Sequence, residues 1–237
     1  MKSLQDSLRL FATYEHSCPY LPEKHSVNAI VDPKYPMEII LYSKMINEGY
    51  RRSGKQVYRP YCPDCNECIS TRIPVKEFKR SRSQKRNWRL NRDLQITENT
   101  QGFSDEYGPL YSRYLANRHP DGEMEPEAVD DFSAFVETSW CNTHFYEFRQ
   151  EGELICVAAV DQLEQGLSAV YTFYDPDISR KRSLGTYALL WEIEYAKQCQ
   201  LEYVYPGYWI KDSPKMRYKT HFRPIYGRVN GKWIQLK

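Results

Sequence analysis

The chain of 237 residues contains no apolar run approaching the roughly 20 residues that cross a bilayer. Its opening, MKSLQDSLRLF, lacks the continuous apolar stretch and small-residue cleavage site of an export signal. There is no internal repeat, no low-complexity linker and no Ser-His-Asp or Cys-His signature of a covalent acyl-transfer site. These absences set aside membrane spans, repeat arrays and the common nucleophilic hydrolases. What is left is a soluble, cytoplasmic globular protein with one large core or two modest ones and no membrane partner. Seven cysteines, an odd number without a secretory signal, argue against a disulfide framework and for a reducing compartment, so metal binding is the better reading of the close cysteine pairs.

The cysteines are unevenly placed. Cys18 is followed by Cys62, Cys65 and Cys68 in C-P-D-C-N-E-C. Four such thiols suit zinc or an iron–sulfur cluster, and are equally compatible with a reduced, metal-free fold. Cys141, Cys156 and Cys199 fall in regular patterns and read as small core residues. The net charge of +2 is also uneven. Residues 51–92 carry thirteen Lys or Arg against Asp64, Glu67 and Glu77, an excess of ten positive charges. Within this segment 79–92 has no acidic residue, so Lys79, Arg80, Arg82, Lys85, Arg86, Arg89 and Arg92 are candidates for phosphate contact rather than a merely solvated face. Trp88 reads either as a stacking surface for an unpaired base or as a packing anchor. Asp121, Glu123, Glu125, Glu127, Asp130 and Asp131 form an acidic turn leading into a helix.

Regular structure grows along the chain. A short helix over 37–48 ends at Gly49, and the run 79–92 is a helix or an extended basic arm. After residue 105 come two helical stretches, the second with Val129, Phe132, Phe135 and Val136 at helical spacing. Strand-like runs over 144–149, 154–160 and 167–174, with Gly152 and Gly166 between them, predict an antiparallel meander. Leu184, Tyr187, Ala188, Trp191, Tyr195 and Cys199 then line one face of a helix, followed by a strand over 202–205, a short helix over 214–219 and a hairpin at Asn230-Gly231. The fold class is therefore α/β in the α+β sense: a Cys-containing basic module over 1–100 precedes a regular domain over 101–237 with an antiparallel or mixed sheet.

Meander, helix, strand resembles the core order of the GNAT acyltransferases. Members of that superfamily usually open the helix with Arg/Gln-x-x-Gly-x-Gly/Ala, whose backbone N–H groups hold the pyrophosphate of coenzyme A. The matching residues here are Arg182-Ser-Leu-Gly185-Thr-Tyr187, and tyrosine in the last place speaks against coenzyme A. Two longer stretches carry a more specific resemblance: C-P-Y-L from Cys18 with Y-R-P-Y-C-P-D-C-N-E-C-I-S-T-R-I-P-V from Tyr58, and G-Y-W-I-K-D-S-P-K-M-R-Y-K-T-H-F-R-P from Gly207. Together they resemble the aminoacyl-tRNA–protein transferases, more closely the bacterial leucyltransferases than the eukaryotic arginyltransferases. The eukaryotic members open with C-x-x-C, where this chain has Leu21, so any metal set is assembled from Cys18 and the later trio.

The resemblance implies transfer of leucine from leucyl-tRNA to the N-terminal amine of proteins beginning with Asp or Glu, which marks them for N-degron proteolysis. Such a reaction needs neither ATP nor coenzyme A, because the donor is already an activated ester. An N-terminal amine has an ordinary pKa of about 7.7–8.0, so a large fraction is already neutral at cytosolic pH, and positioning and oxyanion stabilisation suffice without a dedicated strong base. The acceptor's carboxylate calls for cations, and Arg72, Lys215, Arg217 and Lys219 are candidates by motif membership, with Arg51 beside them. Arg217 is the first candidate for the catalytic centre, its alternative being a structural ion pair. Tyr208 is the second, from the tyrosines at 203, 205 and 208 that suit a pocket wall or ordinary sheet packing. His221 reads as a proton carrier or a structural residue. Arginyl-tRNA is the alternative donor; its pocket would need an acidic wall, for which the late motif offers only Asp212. A non-enzymatic, zinc-ribbon-like nucleic-acid-binding protein is a further alternative, which leaves the C-terminal half without a purpose.

Overall fold

The computed structural model describes residues 8–118 and 129–236. Of the acidic stretch read from Asp121 to Asp131, residues 121–128 lie outside the described residues, while Asp130 and Asp131 fall in a helix. The chain begins with β1 (Leu10–Ala12), β2 (His16–Ser17), β3 (His25–Ser26), β4 (Asn28–Val31), α1 (Ile39–Asn47), β5 (Arg51–Ser53) and β6 (Gln56–Pro60). It continues through β7 (Ile69–Pro74), α2 (Arg82–Leu90), β8 (Gln95–Asn99), α3 (Tyr107–Arg118) and α4 (Val129–Val136). The meander is β9 (Thr143–Gln150), β10 (Glu153–Gln162) and β11 (Gly166–Tyr174), followed by α5 (Pro176–Arg182), α6 (Leu184–Gln198) and β12 (Tyr203–Trp209). A 3₁₀ turn (Arg217–His221), β13 (Tyr226–Val229) and β14 (Lys232–Gln235) close the described chain.

The strands form a small sheet in the order β1-β4-β6-β5 and a large one in the order β14-β13-β7-β12-β11-β10-β9-β8. The large sheet is mixed: β11 and β12 run parallel, while β9, β10 and β11 are antiparallel neighbours, in the order expected of a GNAT-like core. Its β7 and β8 come from the first hundred residues, so the large sheet is built from both halves of the chain. One face packs on α6 through Phe148, Ala158 and Leu190. The other packs on α3 and α4 through Tyr107, Tyr111, Phe132, Phe145 and Phe173.

Local chemistry explains the joints. Glu151 and Gly152 both hold positive φ (51° and 89°), the two-residue hairpin turn that matches strand twist. Asn230 and Gly231 do the same at 48° and 76°. Gly166 is not in a turn, as its place between two runs suggested, but opens β11. A Cβ there would lie 2.6 Å from the Tyr203 carbonyl oxygen, so only glycine admits the close parallel approach of β12. That pairing covers Gly166, Leu167 and Ser168 alone, opposite Tyr203, Val204 and Tyr205. On its other edge β12 stays paired with β7 from Tyr203 opposite Pro74 to Trp209 opposite Ile69, while past Ser168 β11 and β12 part. The parting opens a cleft.

The small sheet is tied to the large one by a buried ion pair. Arg52 on β5 donates from Nε to Asp161 Oδ2 (2.6 Å) and from Nη2 to Asp161 Oδ1 on β10 (2.5 Å). Arg51 and Arg52, two of the thirteen cations in the basic segment, are thus interior residues rather than a nucleic-acid face. Cys141 and Cys156 are buried as expected, but Cys199, expected in the core, is exposed because α6 ends one residue before it.

Candidate active site

The cleft between β11 and β12 has a volume of about 520 Å³. Its apolar wall includes Ala169, Val170, Leu189 and Pro206, with the rings of Tyr114, Tyr171, Tyr174 and Tyr218 around it. Ser183, Gly185 and Thr186 at the start of α6 form one end. Arg118, Lys215 and Lys219 supply cations, and Glu192 is the acidic residue of the lining.

Two of these groups are buried titratable side chains with no ion pair among the described residues. Lys219 is 7% exposed and donates from Nζ to the Tyr208 carbonyl oxygen (2.5 Å). Burial, with the nearby Arg51 guanidinium adding, brings its ammonium down to about 7. Glu192 is 1% exposed, its Oε2 has no hydrogen-bond partner, and burial alone pushes its carboxyl up to about 8. Interior charges are ordinarily paired, and perturbed acids and bases in a cleft mark functional sites. Sequence reasoning missed Glu192 because it reads like Glu194, two residues on, as one more solvated acid of an amphipathic helix. The one available signal was an acid between Trp191 and Ile193, in register with Gly185 and Leu189.

The late motif divides between two surfaces. Lys215 and Lys219 line the cleft. Arg217 is exposed, does not line the cleft, and its side chain has no partner among the described residues. Tyr208 turns the other way: its hydroxyl donates to the Gly49 carbonyl oxygen (2.8 Å) and its ring lies under Arg51 at 5.4 Å. Burial raises its phenol far above the usual range. The two residues named first as catalytic are therefore not brought together, and Tyr208 joins the cleft only through its carbonyl. Arg72 lies apart from the cleft, its guanidinium between the rings of Tyr203 (4.1 Å) and Trp233 (4.3 Å) and donating to Asn47 Oδ1 (2.8 Å). Of the remaining residues, the His221 carbonyl accepts from Gln84 Nε2 (3.1 Å), and Asp212 is exposed.

The basic run is a helix with one free face. Ser81 and Gln84 form a reciprocal capping box at the start of α2. Asn87 donates to the Arg182 carbonyl oxygen (2.7 Å), and so does Asn91 (2.9 Å), fixing α2 against the start of α6. Arg82, Lys85, Arg86 and Arg89 recur at the i, i+3, i+4, i+7 spacing of one face and are all exposed, as are Lys79 and Arg92. Arg80 is different: it pairs with Glu194 (2.7 Å) and covers the Trp88 ring at 3.7 Å. Trp88 packs on Tyr187 (5.3 Å), as an anchor. Tyr187 itself is buried, 3% exposed, so its bulk does not stand at the helix start as the motif suggested. The ring there is Tyr174, which a Cβ on Gly185 would meet at 2.9 Å.

Cys18, Cys62, Cys65 and Cys68 line one cavity of about 300 Å³. The Val27 N–H points at Cys62 Sγ (3.5 Å) and the Lys24 ammonium at Cys65 Sγ (3.8 Å). Burial pushes the Cys68 thiol up to about 12, and the other three cysteines add to the rise. Among the described residues no three His, Cys, Asp or Glu side chains stand in an arrangement that could hold a metal ion. The donor set has the chemistry of a thiophilic site, and the four sulfurs share one cavity without being closed on a centre.

Comparison with known proteins assigns the ancestry. Residues 16–86 match the N terminus of the arginine-tRNA-protein transferases and residues 106–228 match their C terminus. The chain belongs to this family. It is thus an aminoacyltransferase. An aspartate/glutamate leucyltransferase of Pseudomonas fluorescens is 48% identical over 229 residues, 97% of each chain. One of Pseudomonas putida is 47% identical over the same span. Among solved structures, a tandem GNAT protein from the clavulanic acid biosynthesis pathway aligns with 92% of this chain and 61% of its own, at 13% identity and a TM-score of 0.43. Among the described residues no helix is long and apolar enough to cross a membrane.

Proposed function

We propose that the protein transfers leucine from leucyl-tRNA to the N-terminal amine of proteins beginning with Asp or Glu, in the cytoplasm, as an N-degron writer. The observation that carries this reading is the full-length similarity to aspartate/glutamate leucyltransferases, 48% identical over 97% of both chains. The cleft supports it. Lys219 and Lys215 offer an acceptor's carboxylate a cationic wall, and Arg217 extends that wall on the exposed side of the same turn. Because burial holds Lys219 near neutrality, an arriving carboxylate restores its charge, and an acidic side chain binds where a neutral one does not. The acceptor's neutral amine attacks the ester carbonyl. The C–N bond forms, the ester C–O bond breaks, and the terminal ribose hydroxyl leaves. Positioning in the cleft supplies most of the rate. Coenzyme A has no part in this reaction.

The exposed face of α2 is the proposed tRNA surface, with Lys79 and Arg92 extending it. Arg80, already paired with Glu194, contributes through packing. Arg86→Ala with Arg89→Ala is expected to weaken tRNA binding and to lower the slope of log affinity against log salt by about 2, one unit for each lost phosphate contact. Filter binding across a salt series measures this, and an unchanged slope removes α2 from the tRNA site. The four cysteines are proposed to seat a thiophilic centre, zinc or iron–sulfur, which would clip the amino-terminal module and take no part in transfer.

The test of function is transfer from radiolabelled leucyl-tRNA and arginyl-tRNA to peptides beginning with Asp, Glu, Lys or Ala. Label from leucyl-tRNA on the acidic peptides alone is the expected result. Label from arginyl-tRNA alone would move the protein to the arginine-transferring branch, for which Glu192 is the acid available in the cleft.

A further inference from the structure

We infer that Glu192 holds the α-ammonium of the donor's aminoacyl group, so that the cleft accepts a tRNA ester with a free α-amine and rejects one whose amine is blocked. This rests on the transfer reaction proposed above and assigns one of its positions.

Glu192 lies on α6 on the same face as Gly185 and Leu189, and all three line the cleft. From Gly185 to Glu192 is seven residues, about 10 Å of helix, enough for a terminal ribose and its aminoacyl ester. Entry from the Gly185 end follows from the basic helix: α2 is hydrogen-bonded through Asn87 and Asn91 to the carbonyl of Arg182, next to the first residues of the cleft. A 3′ end guided by Arg82, Lys85, Arg86 and Arg89 therefore reaches Ser183 and Gly185 first and Leu189 and Glu192 last. Leu189, Ala169 and Val170 then suit an apolar side chain, and Glu192 suits the amine beside it.

One oxygen of the carboxyl, Oε2, is buried and has no hydrogen-bond partner. Lys219, a cation of the same lining, donates one of its hydrogens to the Tyr208 carbonyl oxygen, and no ion pair joins it to Glu192 among the described residues. The titratable and charged groups around it are Cys156 on β10, Tyr171 and Tyr174 on β11, Tyr114 and Arg118 on α3, Lys215 just before the 3₁₀ turn, and Tyr218 and Lys219 within it. None is a carboxylic acid. With burial pushing Glu192 up to about 8, the empty cleft keeps much of it protonated, and a primary ammonium converts it to a paired carboxylate. The cations at the 3₁₀ turn are left for the acceptor's acidic side chain, which separates the two substrates' charges within one cavity.

The experiment compares leucyl-tRNA with N-acetyl-leucyl-tRNA as donors for an Asp-initiated peptide, in the parent protein and in Glu192→Gln. The parent is expected to favour the free-amine donor by about 100-fold in kcat/KM, and Glu192→Gln to lose about 100-fold on that donor with little further loss on acetylation. Binding of uncharged tRNA should be the same in both, which shows that the variant is folded, and Glu192→Asp should recover part of the preference. A Glu192→Gln protein that discriminates as strongly as the parent overturns the assignment, as does a parent that accepts the acetylated donor equally. A parent that transfers leucine from neither donor overturns the proposed reaction and this assignment with it.

Discussion

Arg52→Met is expected to lower the unfolding free energy by about 3–5 kcal/mol, the cost of leaving one charge of a buried pair uncompensated. The pair is fully interior, with side-chain exposures of 1% for Arg52 and 0% for Asp161. Arg52 also donates to the Val136 carbonyl oxygen (2.8 Å), and Asp161 accepts from the Thr143 hydroxyl (2.8 Å) and the Tyr42 hydroxyl (3.3 Å). One guanidinium thereby joins the small sheet, the large sheet and the end of α4. The backbone there leaves no slack: Gly54, two residues on, holds φ +53°, and a Cβ on it would lie 2.3 Å from the Ala134 carbonyl oxygen. Urea unfolding of Arg52→Met, Asp161→Leu and the double variant tests the account. Each single change should be costly and the double change markedly less so than their sum. A loss below about 1 kcal/mol for Arg52→Met would show that the joint is held by apolar packing instead.

Glu192→Gln is expected to be more stable than the parent by a margin that grows with pH. The folded carboxyl titrates at about 8, whereas an unfolded one titrates at about 4.3. Between those values the folded parent binds more protons than the unfolded chain, so its stability falls as pH rises and levels off above pH 8. Glutamine removes that dependence. The gap should widen by up to about 1.4 kcal/mol per pH unit through this window, or about 3 kcal/mol from pH 5.5 to 8. Lys219 acts with the opposite sign in the next window: its folded value of about 7 lies below an unfolded lysine's, so stability rises from about pH 7 toward 10. The two slopes oppose each other between pH 7 and 8 in the parent alone, and subtracting the Glu192→Gln curve isolates the carboxylate. A gap that stays constant with pH would mean that Glu192 is already ionised in the folded protein across this range. The same substitution that stabilises the fold is expected to impair transfer, the usual relation at a site that keeps an unpaired ionisable group in its interior.

The sequence by itself determined the elements and the ancestry. Periodicity placed the meander, the long helix and the Asn230-Gly231 hairpin because strand and helix repeats, and turns that need positive φ, are written in adjacent residues. The long cysteine and late motifs were specific enough to indicate the family. What only the tertiary structure decided were the partners of charged and aromatic side chains. Arg51, Arg52 and Arg80 look like members of a basic surface until Thr71, Asp161 and Glu194 arrive from more distant parts of the chain. Tyr187 looks like an obstruction at a helix start until its ring is seen against Trp88. Lys219 was legible as a motif member, whereas Glu192 gained meaning only when β11 and β12 parted beside it. Local pattern reports which face of an element is apolar. Which charge is left unpaired depends on contacts between residues far apart in sequence, and those exist only once the chain has folded.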